Sequence, residues 1–264
     1  MGCRDPHSPG EFSVGILLSG SRPEPARSSP PPRLPETVRG VLFDACNVLY
    51  DATVWRHRVL KVLHQLGVQT NYRCLFRVWD REYLGAVHRG EREFCEAFEA
   101  FLRSVGLTGG QIDEIEAACD ARCREAEENP RPLPGVPATL AVLHRAGLSL
   151  AVISNCVQSA AVLQQRLGRF SIGPFFAAVV TSIDLRRTMP DPACYRAAIG
   201  LLGLEPSEVA FVGHDTARLA GATAVGMKSV AFNFDPDAVA DVHIEHFEDL
   251  IDVLGARRPY AAAG

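Results

Sequence analysis

Apolar segments of strand length alternate with helical repeats along the second half of the chain. The pattern predicts, in chain order, a helix at 136–146, a strand at 148–153, a helix at 157–167, a strand at 177–181, a helix at 192–202, a strand at 208–212, a helix at 217–225 and a strand at 228–232. An earlier apolar run, Val41 to Phe43, ends in Asp44 and predicts one more strand. Alternation of this kind is typical of a parallel sheet with helices on both faces. We therefore expect an α/β fold built on a doubly wound parallel sheet.

The stretch between Asp44 and this region has apolar residues at helical spacing and no strand-like alternation. The three repeats are Trp55, Val59, Leu63 and Leu66, then Phe94, Phe98, Phe101 and Val105, then Ile112, Ile115 and Cys119. Glycines at 67, 106 and 109–110 interrupt the pattern where helices should end. The sequence thus predicts a helical insert at 53–128 within a core formed by 39–52 and 129–256, with a packing helix at 247–254.

Both ends of the chain differ from this pattern. Residues 1–38 are rich in Pro, Ser, Gly and Arg and hold too few apolar side chains to order themselves, so we predict a disordered tail. The segment also lacks the basic start and long apolar stretch of a secretory signal. Residues 257–264 are predicted to form a flexible C-terminus.

The composition and net charge of the chain argue against several classes of function. Of the 264 residues, 47% are hydrophobic and 22% charged, and the net charge of −4 predicts no general affinity for nucleic acid. No run approaches the length of a membrane span. Eight scattered cysteines favour reduced thiols and a cytoplasmic location, and Cys119 and Cys123 lack the nearby histidines of a zinc site. We expect a small-molecule partner, and the oligomeric state is left open.

Polar residues follow several predicted strands. They are Asp44, the pair Ser154 and Asn155, the segment 189–192, and the segment 213–215. The carboxyl ends of parallel strands converge on one crevice, where open α/β sheets place their chemistry. The same residues also suit purely structural roles, because Asp and Asn are common in turns and Asp215 could cap a following helix.

In their order and spacing, these segments resemble the motifs of the haloacid dehalogenase superfamily of hydrolases over residues 40 to 254. The resemblance implies a Rossmann-like core with a helical cap, and Asp44 as a nucleophile that forms a covalent intermediate with a small, anionic phosphorylated metabolite. It further implies that Ser154 and Asn155 bind the transferred oxygen atoms, and that Asp44 and Asp215 hold Mg²⁺.

Several positions depart from the phosphatase pattern, among them Asn47 and Val48, which replace the usual Gly-Thr. Cys46 stands where the family has a second Asp that protonates the leaving group, and Met189 stands where it has a Lys. His214 and Arg218 replace the acidic residues of the metal-binding motif. Cys46 could still donate a proton, Met189 could line an unusual pocket, and His214 could serve as a base or ligand. We expect Met189, Tyr195 and His214 to contact the substrate. Together the departures predict a weakened or lost phosphatase activity.

Two other functions stay open. Dehalogenases of the same superfamily need neither the second Asp nor a metal, and they share the Ser-Asn pair and a Tyr six places after the Lys position, which is Tyr195 here. Alternatively, the crevice or the cap could bind a metabolite or a protein without catalysis. Arg73, Arg77 and Arg81 should share one face of a cap helix, either as a solvated surface or as contacts for an anionic substrate.

Overall fold

The structure, a computed structural model, describes residues 31–128 and 131–256. Its sheet contains six parallel strands in the order β3-β2-β1-β4-β5-β6. They are β1 (Gly40–Asp44), β2 (Ser149–Ser154), β3 (Phe176–Thr181), β4 (Val209–Gly213), β5 (Lys228–Phe232) and β6 (Val242–Ile244). This order reverses direction between β1 and β4, and such a switch point opens a crevice at the carboxyl ends of the two strands. The predicted fold class is confirmed.

Helices cover both faces of the sheet and also form an insert between β1 and β2. Those of the insert are α1 (Val54–Gln65), α2 (Tyr72–Val78), α3 (Leu84–His88), α4 (Phe94–Ser104) and α5 (Gly109–Glu128), with a π-helical turn at Trp79–Tyr83. Those of the core are α6 (Val136–Arg145), α7 (Ala160–Arg169), α8 (Ser182–Leu185), α9 (Pro192–Leu202), α10 (Thr216–Ala224) and α11 (Leu250–Val253). Residues 53–128 therefore form helices and turns, which agrees with the helical insert expected from the sequence.

Side-chain alternation along β1 divides the core into two layers. Phe43 points to one face, where its ring packs against Phe176 and Phe247. Leu42 belongs to a second cluster, with Met189 and Tyr195 among its members. Successive residues of a strand face opposite sides of a sheet, and burial on both sides explains why β1 is apolar throughout until Asp44.

The cap has a separate apolar cluster made largely of aromatic rings. Trp79 is fully buried at its centre and lies 5.5 Å, between ring centroids, from both Phe94 and Phe101. Arg73, Arg77 and Arg81 are exposed, consistent with a solvated face. The side chains of Cys119 and Cys123 lie outside the described residues. The insert thus has an apolar core of its own, and two chain segments join it to the sheet.

Of the tail predicted for 1–38, residues 1–30 lie outside the described residues, as does the C-terminus predicted for 257–264, and the last residues of the tail pack into the core. Leu34 and Val38 are buried in the core cluster, and the Leu34 N–H donates to the Val253 carbonyl at 2.8 Å. Two isolated apolar residues are too weak a periodic signal to reveal this packing. The short edge strand β6 was also not predicted, since three residues are too few for a strand pattern. In the described residues, no helix has the length and apolar character needed to cross a membrane.

Candidate active site

Asp44 ends the strand beside the switch point of the sheet. In the parallel register it pairs with Ile153, so Ser154 follows one position later on the neighbouring strand. The Asp44 side chain is fully buried. Its Oδ1 atom has no hydrogen-bond partner among the described residues, whereas Oδ2 accepts one. A buried carboxylate oxygen without a partner is costly, and it marks the place where a ligand atom would be accommodated.

A tight turn after Asp44 brings the next polar groups back to the strand end. Asn47 adopts a positive φ of 60°, which Asn tolerates better than most residues, and its N–H donates to the Tyr50 carbonyl at 2.8 Å. The Cys46 sulfur consequently lies 3.8 Å from the hydroxyls of both Tyr50 and Ser154. Two predicted catalytic residues, Cys46 and Ser154, are thus in contact.

Cys46 is a poor proton donor in this position. Burial raises the pKa of its thiol, and the adjacent charge of Asp44 acts in the same direction. A thiol with a raised pKa holds its proton more firmly than the carboxylic acid that the family places here. Cys46 therefore keeps its proton at neutral pH but offers little help to a poor leaving group.

Arg218 forms an ion pair with Asp44. Its Nη1 atom donates to Asp44 Oδ2 at 2.6 Å, and the arginine side chain is 19% exposed. Burial opposes the charge, but the carboxylates of Asp44 and Asp215 outweigh it and raise the pKa of the guanidinium. A permanent positive charge therefore lies directly beside the predicted nucleophile.

The backbone of Arg218 is held on both sides. Asp215 Oδ1 accepts a hydrogen bond from the Arg218 N–H at 2.9 Å, which makes Asp215 the N-cap of α10. The buried Tyr195 hydroxyl donates to the Arg218 carbonyl at 2.7 Å. Because Gly221 has no side chain, this hydroxyl can lie close to α10: a Cβ there would be 2.8 Å from it. These two hydrogen bonds fix the position of the Arg218 backbone, from which the guanidinium reaches Asp44.

Asn155 connects the second strand end to the loop before α9. Its amide nitrogen donates to the Met189 carbonyl at 3.0 Å, and its oxygen accepts from the Met189 N–H at 2.9 Å. The Met189 side chain is buried in the apolar cluster of that face. Asn155 therefore braces the loop that carries Met189.

Two of the predicted substrate contacts have partners within the protein. The Tyr195 hydroxyl donates to a backbone carbonyl, and the Met189 side chain packs into the core. Direct contact of either residue with a substrate stays a prediction. His214 is partly exposed after β4, and a role for it in substrate binding stays a prediction. Sequence reasoning had noted Arg218 only as a departure from an acidic position, and it missed the pairing with Asp44.

The side chains do not fit the Mg²⁺ site that the family resemblance implied. A cation, Arg218, already occupies Asp44 Oδ2, and Asp215 Oδ1 is engaged in capping α10. Across 31–128 and 131–256, no group of three His, Cys, Asp or Glu side chains is arranged to hold a metal ion. A divalent ion would need several oxygen ligands and would have to lie beside the guanidinium.

The cap contributes a histidine to this neighbourhood. Burial of His88, at the end of α3, and the positive charges of Arg218 and Arg56 together lower the pKa of its imidazole to about 4. Nearby, Gly90 approaches the core so closely that a Cβ there would be 3.2 Å from Ile183 Cγ1. The imidazole of His88 is therefore neutral at pH 7 and lies close enough to Arg218 to feel its charge. Helical periodicity did not single this residue out.

Parallel strand order, a buried carboxylate at the end of β1 and an inserted helical cap define a hydrolase of the haloacid dehalogenase type. The family model for haloacid dehalogenase-like hydrolases matches residues 38–226, and the chain belongs to this family.

Comparisons with individual proteins agree with this family. The chain is 34% identical over 133 residues to the N-acetylmuramic acid 6-phosphate phosphatase of Pseudomonas aeruginosa, covering 47% of this chain and 58% of that enzyme. It is 26% identical over 235 residues to a phosphoglycolate phosphatase of Yersinia pestis, covering 83% and 94%. The chain spans little more than half the length of the first curated relatives it matches. A solved dehalogenase shares the fold, with a TM-score of 0.65, 24% identity, and 85% and 100% of the two chains covered.

The ion pair yields a stability prediction. Arg218→Met should lower the free energy of unfolding by about 3–5 kcal/mol, because it leaves the buried Asp44 carboxylate without its partner. Adding Asp44→Asn should recover part of this loss, with a coupling energy of roughly 1–3 kcal/mol in urea titrations. Arg103→Met, which breaks an exposed pair with Glu99, is the matched control and should cost at most about 1 kcal/mol. Additive losses at Arg218 and Asp44 would show that the pair is not formed.

His88 yields a pH prediction. Its pKa is about 4 in the fold and about 6.5 when unfolded, so between these values the unfolded chain binds a proton that the native protein does not. Stability should therefore fall as the pH drops from about 6.5 to 4, and His88→Gln should flatten this part of the curve. Thermal melts across the range measure it. An unchanged slope in His88→Gln would mean that His88 is not buried in its neutral form.

Proposed function

We propose that this protein hydrolyses a small phosphorylated metabolite through an Asp44 covalent intermediate. The observation that carries the proposal is the state of Asp44: it is fully buried at the switch point, with Oδ2 paired to Arg218 and Oδ1 without a partner among the described residues. The free oxygen is the one able to attack. The phosphatase activities of the relatives support the choice of a phosphoryl group.

The first step would form one bond and break one. Asp44 Oδ1 attacks phosphorus, an acyl phosphate forms, and the bond from phosphorus to the leaving oxygen breaks. That oxygen must take a proton from water or be stable as an anion, because the pKa of Cys46 is raised. Water then attacks the acyl phosphate, and inorganic phosphate leaves as Asp44 is regenerated.

Arg218 removes an electrostatic obstacle to this attack. Two like unit charges about 4 Å apart repel by about 4 kcal/mol at an effective dielectric constant near 20. A phosphate dianion approaching an unpaired carboxylate would meet at least that barrier. The guanidinium beside Oδ2 offsets it, and it does so without the lysine that Met189 replaces.

A dehalogenase is the second candidate, and the Cys46 site favours it. A halide leaves without a proton, so the absence of a carboxylic acid at position 46 costs such a reaction nothing. In that case Asp44 Oδ1 attacks the carbon that bears the halogen, halide leaves, and water hydrolyses the ester to a 2-hydroxy acid. Arg218 would then face the carboxylate of the substrate.

The cysteines and the charges of the site support a proposed cellular location and ligand. Five described cysteines are free, Cys46, Cys74, Cys95, Cys156 and Cys194, which suits a reducing compartment and hence the cytoplasm. The partner we propose is a small anionic metabolite. Substrate choice would depend on the cap, whose role would be to cover the crevice and exclude water.

A substrate panel tests the proposal. Purified protein should release phosphate from acyl and aryl phosphates at least about 10²-fold faster, in kcat/KM, than from alkyl phosphates, since a missing general acid penalises poor leaving groups most. Asp44→Asn should abolish turnover, whereas Asp113→Asn, at an exposed cap position, should not change it.

Three results separate the candidates. Chloride release from 2-chloro acids with no phosphatase activity would favour the dehalogenase. Equal rates on aryl and alkyl phosphates, or full activity in Asp44→Asn, would contradict the proposed mechanism. Ligand binding with no turnover on any arm of the panel would leave a binding protein.

A further inference from the structure

We propose that the Arg218 guanidinium is the resident cation of this crevice, and that the crevice binds a phosphate-like oxyanion without a divalent metal ion. The inference rests on the proposed function only in taking a phosphoryl group as the ligand. Arg218 would then supply the charge compensation that a metal ion supplies in other proteins. Phosphate binding should therefore not require Mg²⁺.

The contacts of Arg218 suit an oxyanion partner. Guanidinium presents five N–H donors in a planar fork that matches the oxygens of phosphate. Within the described residues, Nη1 is the only atom of this group in a hydrogen bond, and that bond goes to Asp44 Oδ2. Donors on the other nitrogens are therefore available beside the unpartnered Asp44 Oδ1.

The arrangement is built into the fold rather than adopted by a loose side chain. Asp215 caps the N–H of Arg218, and Tyr195 holds its carbonyl from α9. Burial raises the pKa of Tyr195, so its hydroxyl stays a donor. A divalent ion held between Asp44 and Asp215 would lie next to the Arg218 guanidinium, which already pairs with Asp44 Oδ2. Its positive charge would oppose that of the ion.

Metal binding is the first arm of the test. Mn²⁺ is titrated into the wild-type protein, and the free ion is followed by electron paramagnetic resonance. We expect no bound Mn²⁺ that Mg²⁺ can displace. Arg218→Asp removes the cation and adds a carboxylate. This variant should bind Mn²⁺ at least about tenfold more tightly than any residual binding by wild type. A stoichiometric Mn²⁺ site in wild type that Asp44→Asn abolishes would overturn the inference.

Oxyanion binding is the second arm. Inorganic phosphate, titrated by calorimetry in the presence of EDTA, should bind wild type as well as it does with Mg²⁺. Arg218→Met should weaken phosphate binding by about tenfold or more, since it deletes a charge-assisted contact. Arg103→Met, the same change on the exposed face of α4, should leave it unaltered. If Arg218→Met does not fold by circular dichroism, Arg218→Lys decides: it keeps the charge but loses the fork, and should weaken binding by a smaller factor.

The outcomes separate this inference from the proposed function. Phosphate binding in EDTA without hydrolysis of any phosphate ester would support the resident cation and contradict the hydrolase. Hydrolysis that depends on Asp44 and on added Mg²⁺ would support the hydrolase and overturn the resident cation. Phosphate binding that is unchanged in both Arg218 variants would also overturn it.

Discussion

The buried ion pair between Asp44 and Arg218 is the interaction on which the rest of this site depends. A carboxylate with no exposed surface is unfavourable unless a nearby charge or donor compensates it. Here the compensation comes from a side chain 174 positions along the chain. Removing it would leave a buried charge, so the pair constrains both the stability of the core and the chemistry available at the end of β1.

The sheet and its loops bring the two residues together. β1 and β4 are neighbours in the parallel sheet, and α10 begins three residues after β4 ends, so Arg218 in its first turn lies beside the end of β1. Asp215 and Tyr195 then fix the backbone of Arg218, and Asn155 braces the adjoining loop. Asp215 and Tyr195 thus support Arg218, the residue that pairs with Asp44, whereas Asn155 supports the backbone of Met189.

Sequence patterns predicted the elements well where burial imposes a period. The strands before Asp44 and Ser154 and the cap helices were recognisable because their apolar residues recur at the spacing of a buried strand or one helix face. The capping alternative for Asp215 was also recognisable locally. The pairing of Arg218 with Asp44 was not, since no local rule relates residues so far apart. His88 was missed for the same reason: its environment exists only once the cap lies against the core.

At this site the Arg218 guanidinium would take the place of a metal ion, while the fold and the carboxylate at the end of β1 are those of the family. A crystal structure grown with Mn²⁺, with anomalous diffraction recorded at the manganese edge, tests this claim most directly. The account predicts Arg218 Nη1 in contact with Asp44 Oδ2 and no anomalous peak beside either Asp44 or Asp215. A manganese peak bonded to both carboxylates, with the Arg218 side chain turned away, would contradict it.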